Sequence, residues 1–162
     1  MNKKTLQLDE LKAKNLYKTA SPEFKQMLID TWGEKFFHEN IMDRIKSFED
    51  ACKETGESPD NPKYIYGTID EIAANKLKLI CKALNEGVKL SFRNKDQKKW
   101  YPWMIFEGSG FRLDVANCDY SITGATFGSR LCVDTQTKAE YLGTHPPFVK
   151  LYNEMMIQFE ND

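Results

Sequence analysis

The stretch Leu84-Asn85-Glu86-Gly87-Val88-Lys89-Leu90-Ser91-Phe92-Arg93 is where the hydrophobic period of the chain changes. Before it, apolar residues recur at the spacing of one helix face. After Gly87, Val88, Leu90 and Phe92 alternate with Lys89, Ser91 and Arg93, the two-residue period of a half-buried strand. The residues ahead of the switch read as helix, and those after it read first as sheet.

Working back from Gly87, Ala73, Leu77, Ile80 and Leu84 line one helical face, and Thr68 with Glu71 has the spacing of a capping box. The turn-rich link from Gly56 to Gly67, with Pro59, Asn61 and Pro62, predicts a surface loop. Ahead of it, Ile41, Ile45, Phe48 and Cys52 predict one helix, capped by Asn40 and ended by Gly56. Ser21-Pro22-Glu23 opens an earlier helix bearing Phe24, Met27, Leu28 and Ile29, with Gly33 as its stop. Residues 6–17 carry Leu6, Leu8, Leu11, Leu16 and Tyr17 among lysines, a weakly amphipathic helix.

Working forward, Asn94 to Lys99 is polar and turn-like, Trp100 to Phe106 is rich in aromatics, and Gly108-Ser109-Gly110 turns the chain. Phe111, Leu113 and Val115 alternate with Arg112, Asp114 and Ala116, and a further strand is expected near Ser129 to Val133, after Gly124 to Gly128. Short runs joined by short turns predict an antiparallel meander of about four strands, with Pro102 at an edge or a bulge. Asp134 or Thr135 caps a short helix ending at Gly143, and Pro146-Pro147 opens a last one with Phe148, Leu151, Tyr152, Met155 and Phe159 on one stripe. The expected fold is α+β in a single domain, 1–162: a mainly helical region over 1–87, an antiparallel sheet over 88–133 and C-terminal helices over 134–162.

Of 162 residues, 41% are apolar and 29% charged, and 23 basic residues face 24 acidic ones. A net charge of -1 excludes a protein that coats nucleic acid or membranes by bulk charge. No run approaches the length of a membrane span, and the lysines near Met1 are not followed by the apolar core of a signal peptide, so Met1 reads as a mature N-terminus. Cys52, Cys81, Cys118 and Cys132 form no C-x-x-C pair and predict reduced core thiols in the cytoplasm. His38 and His145 have no metal-ligand spacing. There is no G-x-S-x-G elbow around Ser109, no P-loop at Gly124 to Gly128, and no dinucleotide fingerprint at Gly108-x-Gly110. No catalytic residue, cofactor or metal site is therefore assigned.

The segment 89–112 stands out. It holds six basic residues (Lys89, Arg93, Lys95, Lys98, Lys99, Arg112) against Asp96 and Glu107, a surplus of four that leaves the rest of the chain at -5. Phe92, Trp100, Tyr101, Trp103, Phe106 and Phe111 are interleaved with them. Two readings stand. Alternation can send the rings into a core and the lysines into solvent. Alternatively, some rings face outward and, with the cations, recognise a partner such as a single-stranded nucleic acid. The candidate partner-binding residues are Arg93, Lys98, Lys99, Trp100, Tyr101, Trp103 and Arg130, the last serving either in a salt bridge or as an anion site.

Several words are shared with a family. Arg44-Ile45-Lys46-Ser47-Phe48-Glu49-Asp50-Ala51-Cys52, Leu79-Ile80-Cys81-Lys82-Ala83-Leu84-Asn85-Glu86-Gly87, Tyr101-Pro102-Trp103, Gly128-Ser129-Arg130-Leu131-Cys132 and Ala139-Glu140-Tyr141-Leu142-Gly143 are such words. With them the chain, from about Ser21 to Tyr152, resembles an uncharacterised family of small proteins from gut Bacteroidales and their phages and mobile elements. It departs from that pattern just after Gly87, where Val88-Lys89-Leu90 stands in place of a tryptophan. The resemblance implies a small intracellular or virus-encoded protein and carries no activity, cofactor or catalytic residue with it.

The expected function is a non-enzymatic binding module, associated with a phage or mobile element, that meets a protein or a single-stranded nucleic acid through 89–112 and does not engage membranes. The alternative is a small enzyme without a familiar motif, acting on a nucleotide or nucleic acid, with Asp114, Asp119 and Arg130 as first candidates. The oligomeric state is left open.

Overall fold

In the computed structural model, residues 8–37, 40–121 and 128–157 are described. Leu6, His38, Gly124 and Phe159 lie outside them, as do the side chains of Leu11, Val115, Ala116, Cys118, Asp119 and Ser129. The chain divides into two compact units, Met1–Arg44 and Ile45–Asp162.

The first unit is helical: α1 (Glu10–Thr19), α2 (Pro22–Trp32), α3 (Glu34–Phe37) and α4 (Ile41–Arg44). Its helix starts follow local chemistry. Asp9 accepts the Lys12 N–H at 2.8 Å, Ser21 accepts that of Phe24 at 3.4 Å, and Asn40 accepts that of Met42 at 3.0 Å. Gly33, with φ +83°, ends α2. Tyr17 stacks on Phe37 with ring centroids 4.5 Å apart, and Phe36 meets Phe37 edge-on at 4.8 Å.

The second unit opens with α5 (Phe48–Thr55). The expected single helix over Ile41–Cys52 is therefore broken into α4 and α5. The cause is local: the Ser47 hydroxyl accepts the Asp50 N–H at 3.1 Å while the Asp50 carboxylate accepts the Lys46 N–H at 3.0 Å. That pair starts a new helix where the old one would have continued. After a 3-10 turn at Pro62–Tyr64 comes α6 (Ile69–Leu84), the longest described element, started by the Glu71 carboxylate accepting the Thr68 N–H at 3.1 Å. Ala73, Leu77, Ile80, Cys81 and Leu84 on α6 are wholly buried. Helix α5 packs on one side of α6, and α8 (Pro146–Met156) on another. Ile45, Leu77, Ile80 and Leu84 join this core, while Phe48 is half-buried beside Tyr64.

Among the described residues the sheet has two strands, β1 (Lys99–Glu107) and β2 (Gly110–Ser121), joined antiparallel through Gly108, whose φ of +66° suits a two-residue turn. The register slips between Met104 and Pro102, where two steps along β1 face five along β2. A bulge at that place agrees with a proline that cannot donate to the ladder. Helix α7 (Gln136–Thr144), capped by Thr135, covers the hairpin. Gly143 makes the approach close: a Cβ there would lie 2.6 Å from Leu113 Cδ1 and 2.9 Å from Pro102 Cβ.

Of the expected four strands, two are absent among the described residues, and side-chain amides explain both. Residues 88–93 form a loop. Gln97 accepts the Ser91 N–H at 3.0 Å and donates to the Lys89 carbonyl at 3.2 Å, the two bonds a neighbouring strand would have made. The run 129–133 is a 3-10 turn followed by one antiparallel bridge between Val133 and Trp100. Asn85, buried at the end of α6, donates to the Cys132 carbonyl and accepts the Asp134 N–H, each at 2.9 Å. That occupies the backbone groups on either side of the bridge. Asn153 does the same to β2, accepting the Phe111 N–H at 2.5 Å and donating to the Phe111 carbonyl at 3.3 Å. A carboxamide carries a donor and an acceptor, as a peptide unit does, so one side chain closes a sheet edge without a strand.

Candidate functional site

The face of α6 turned away from Leu77 and Leu84 carries Asn75, Lys78, Leu79 and Lys82, which fall at successive helical turns. Around it the chain has folded three other pieces. Glu57 follows α5, Lys63 and Tyr64 come from the 3-10 turn, and Val88, Lys89 and Leu90 come from the loop after α6. Arg130 enters from the turn Ser129–Leu131. Together they enclose a cleft of about 600 Å³. Five cations and one carboxylate line it.

Glu57 organises one side. Its carboxylate meets Lys63 Nζ at 2.9 Å and Lys82 Nζ at 3.7 Å, and accepts the Tyr64 hydroxyl at 3.2 Å. The hydrogen bond from Lys63 holds the Glu57 carboxyl below its ordinary range, and the same contact holds the Lys63 ammonium above its own. Lys78 Nζ donates to Asn75 Oδ1 at 3.3 Å, and Asn75 in turn donates to the Lys63 carbonyl at 3.1 Å. Among the described residues Lys78, Lys89 and Arg130 meet no carboxylate. Leu79, Leu90 and the exposed Val88 add an apolar part to the lining.

The residues nominated from sequence scatter. Arg130 lines the cleft, and so does Lys89 of the basic segment. Arg93 and Lys98 are exposed, and Lys98 Nζ sits 5.5 Å from the centroid of the half-buried Trp100 ring. Trp103 is 42% exposed, whereas Tyr101 is 4% exposed and belongs to the core. The three rings do not form one outward face. Lys99 is wholly buried, donating to the Asn94 carbonyl at 2.6 Å and the Gln97 carbonyl at 2.5 Å, and it stitches the 94–98 loop shut. Arg112 is paired with Glu107 across the hairpin turn, which holds the Glu107 carboxyl low. Asp114 is half-buried and lies outside the cleft lining.

Sequence reasoning passed over Glu57, Lys63, Lys78 and Lys82. The i, i+4 pair Lys78–Lys82 with Asn75 was open to a helical-wheel reading. The convergence of Lys63 and Arg130 on them was not.

The remaining titratable groups point elsewhere. Cys52, Cys81 and Cys132 are free and buried, and burial pushes the Cys132 thiol up to about 11 and that of Cys81 higher still. His145 donates from Nε2 to the Lys46 carbonyl at 2.7 Å and stacks against Tyr141. Among the described residues no cluster of His, Cys, Asp and Glu could hold a metal, and no helix is long and apolar enough to cross a membrane. No family model, no curated protein and no solved structure matches the chain.

Proposed function

We propose that the protein is a non-enzymatic cytoplasmic binding module for single-stranded nucleic acid, with the cleft against α6 as its phosphate-binding centre. One observation carries the reading: five cations converge on one cleft with a single carboxylate, and three of them have no acidic partner among the described residues. Arg93, Lys98 and the exposed Trp103 extend the basic, aromatic character of the 89–112 segment that shares Lys89 with the cleft. The acidic remainder of the chain disfavours a long duplex, whose charge density is higher than that of a single strand. On the family resemblance alone, we also propose a phage or mobile-element setting.

An enzymatic reading finds less support. The carboxylate in the cleft is Glu57, and ion pairing that lowers its pKa makes it a weak base.

Fluorescence anisotropy with a labelled oligonucleotide at low salt tests the proposal. Wild type should bind, with about three to five phosphate contacts giving a slope of log affinity against log salt of about -2 to -3.5. Lys78→Glu/Lys89→Glu should lose most of that affinity and flatten the slope, and Arg93→Glu/Lys98→Glu should lose less. If wild type does not bind any strand, or the cleft-reversed protein binds as well, the reading is wrong and an acidic protein surface becomes the partner to test.

A further inference from the structure

We infer that the cleft receives a nucleotide bearing a terminal phosphate, either the phosphorylated end of a strand or the same group on a free nucleotide, rather than a run of internal backbone. The inference rests on the reading of the cleft as phosphate-binding and narrows it. Three observations carry it. At about 600 Å³ the cleft falls within the range of about 300–1,000 Å³ typical of small-molecule pockets, which matches a ligand of nucleotide size.

The charge points the same way. The residues that line the cleft carry a surplus of four positive charges. An internal phosphodiester brings one negative charge, whereas a terminal phosphomonoester brings about -1.5 to -2 at pH 7, and a terminal di- or triphosphate more. Arg130 offers a planar fork suited to two oxygens of one phosphate, and Lys78 and Lys82 stand one helical turn apart as point charges.

Finally, part of the lining is apolar. Val88, with 45% of its surface exposed, lines the cleft together with Leu79 and Leu90. A bare inorganic anion would leave that surface wet, while a sugar and base attached to the phosphate would cover it. The Glu57 clasp on Lys63 and Lys82 holds two of the ammonium groups in place before any ligand arrives.

The experiment compares one labelled oligonucleotide in three forms, 5′-phosphorylated, 3′-phosphorylated and hydroxyl-ended, and competes each with a free nucleoside triphosphate and with the bare nucleoside. A terminal phosphate should tighten binding about tenfold or more, the triphosphate should compete, and the nucleoside should not. In Arg130→Ala, an exposed position whose fold is checked by circular dichroism, the ratio between phosphorylated and hydroxyl-ended strands should fall towards one. Equal binding of all three forms with no competition by the triphosphate overturns this inference and leaves the single-strand reading standing. Binding of the triphosphate alone upholds the pocket and removes the strand. If nothing binds, both are wrong.

Discussion

Lys99 and Lys89 lie ten positions apart in one basic segment, and the fold treats them in opposite ways. Lys99 is wholly buried with two backbone carbonyls on its ammonium, so its charge serves to close a loop. Arg112 nearby is matched to Glu107. Lys89, by contrast, is exposed on the rim of a cleft that it shares with Lys78 and Arg130, and no carboxylate among the described residues meets any of the three. Around the hairpin Lys99 and Arg112 are matched by acceptors of the fold; around α6, Lys78, Lys89 and Arg130 meet no carboxylate among the described residues. A count of charge along a sequence therefore measures supply, and only the acceptors provided by the fold decide what is left for a ligand.

The contrast requires the α6 wall of the cleft to be rigid, and the largest effect should come from undermining it. Leu84 is fully buried behind that wall, so Leu84→Ala should lose about 2–5 kcal/mol in denaturant unfolding. A loss under about 0.5 kcal/mol would mean that the helix face is misassigned. The next test addresses the neighbouring lysines directly. Lys99→Met removes the buried ammonium that donates to the Asn94 and Gln97 carbonyls and should lose about 1–3 kcal/mol, while Lys98→Met should stay within about 0.5 kcal/mol. Equal effects at the two positions would erase the distinction between the buried lysine and its exposed neighbour.

The smallest effect concerns the clasp inside the cleft. Because Glu57 titrates below its ordinary value of 4.5, its stabilisation is present above that value and is lost as pH falls through the lower folded one. Wild type should thus exceed Glu57→Gln in stability above the ordinary carboxylate range, by a small margin for so exposed a pair, and the gap should close as pH falls through the lower folded value. A gap that does not change with pH would show that the carboxylate is not paired with Lys63 and Lys82.

The helices were legible because a helix satisfies its own backbone. Thr68 with Glu71, Ser21 before Pro22, and Thr135 each carry their cap within a few residues, and the apolar stripe of α6 faces the core as its spacing demands. The hairpin was legible for a similar reason, since β1 and β2 are joined by a turn that is itself written in sequence at Gly108. The alternation of Val88, Leu90 and Phe92 has no such guarantee. A strand needs a partner from elsewhere, and here Gln97 takes the backbone bonds that the partner would have supplied. Asn85 and Asn153 act in the same way at the other edges, and nothing in their local sequence announces it.

The α+β class, most of the helix ends, the hairpin turn and the basic character of 89–112 all depend on residues close together in the chain, and local sequence is enough to read them. Contacts between distant residues settle how many strands the described sheet has, which of two adjacent lysines is buried, and that Lys63, Lys78, Lys89 and Arg130 share one cleft. Those outcomes depend on groups far apart in the chain meeting in space, as Asn85 meets Cys132 and Asp134. No local periodicity encodes such a meeting, because its free energy comes from burying and pairing groups whose positions are fixed by the rest of the fold.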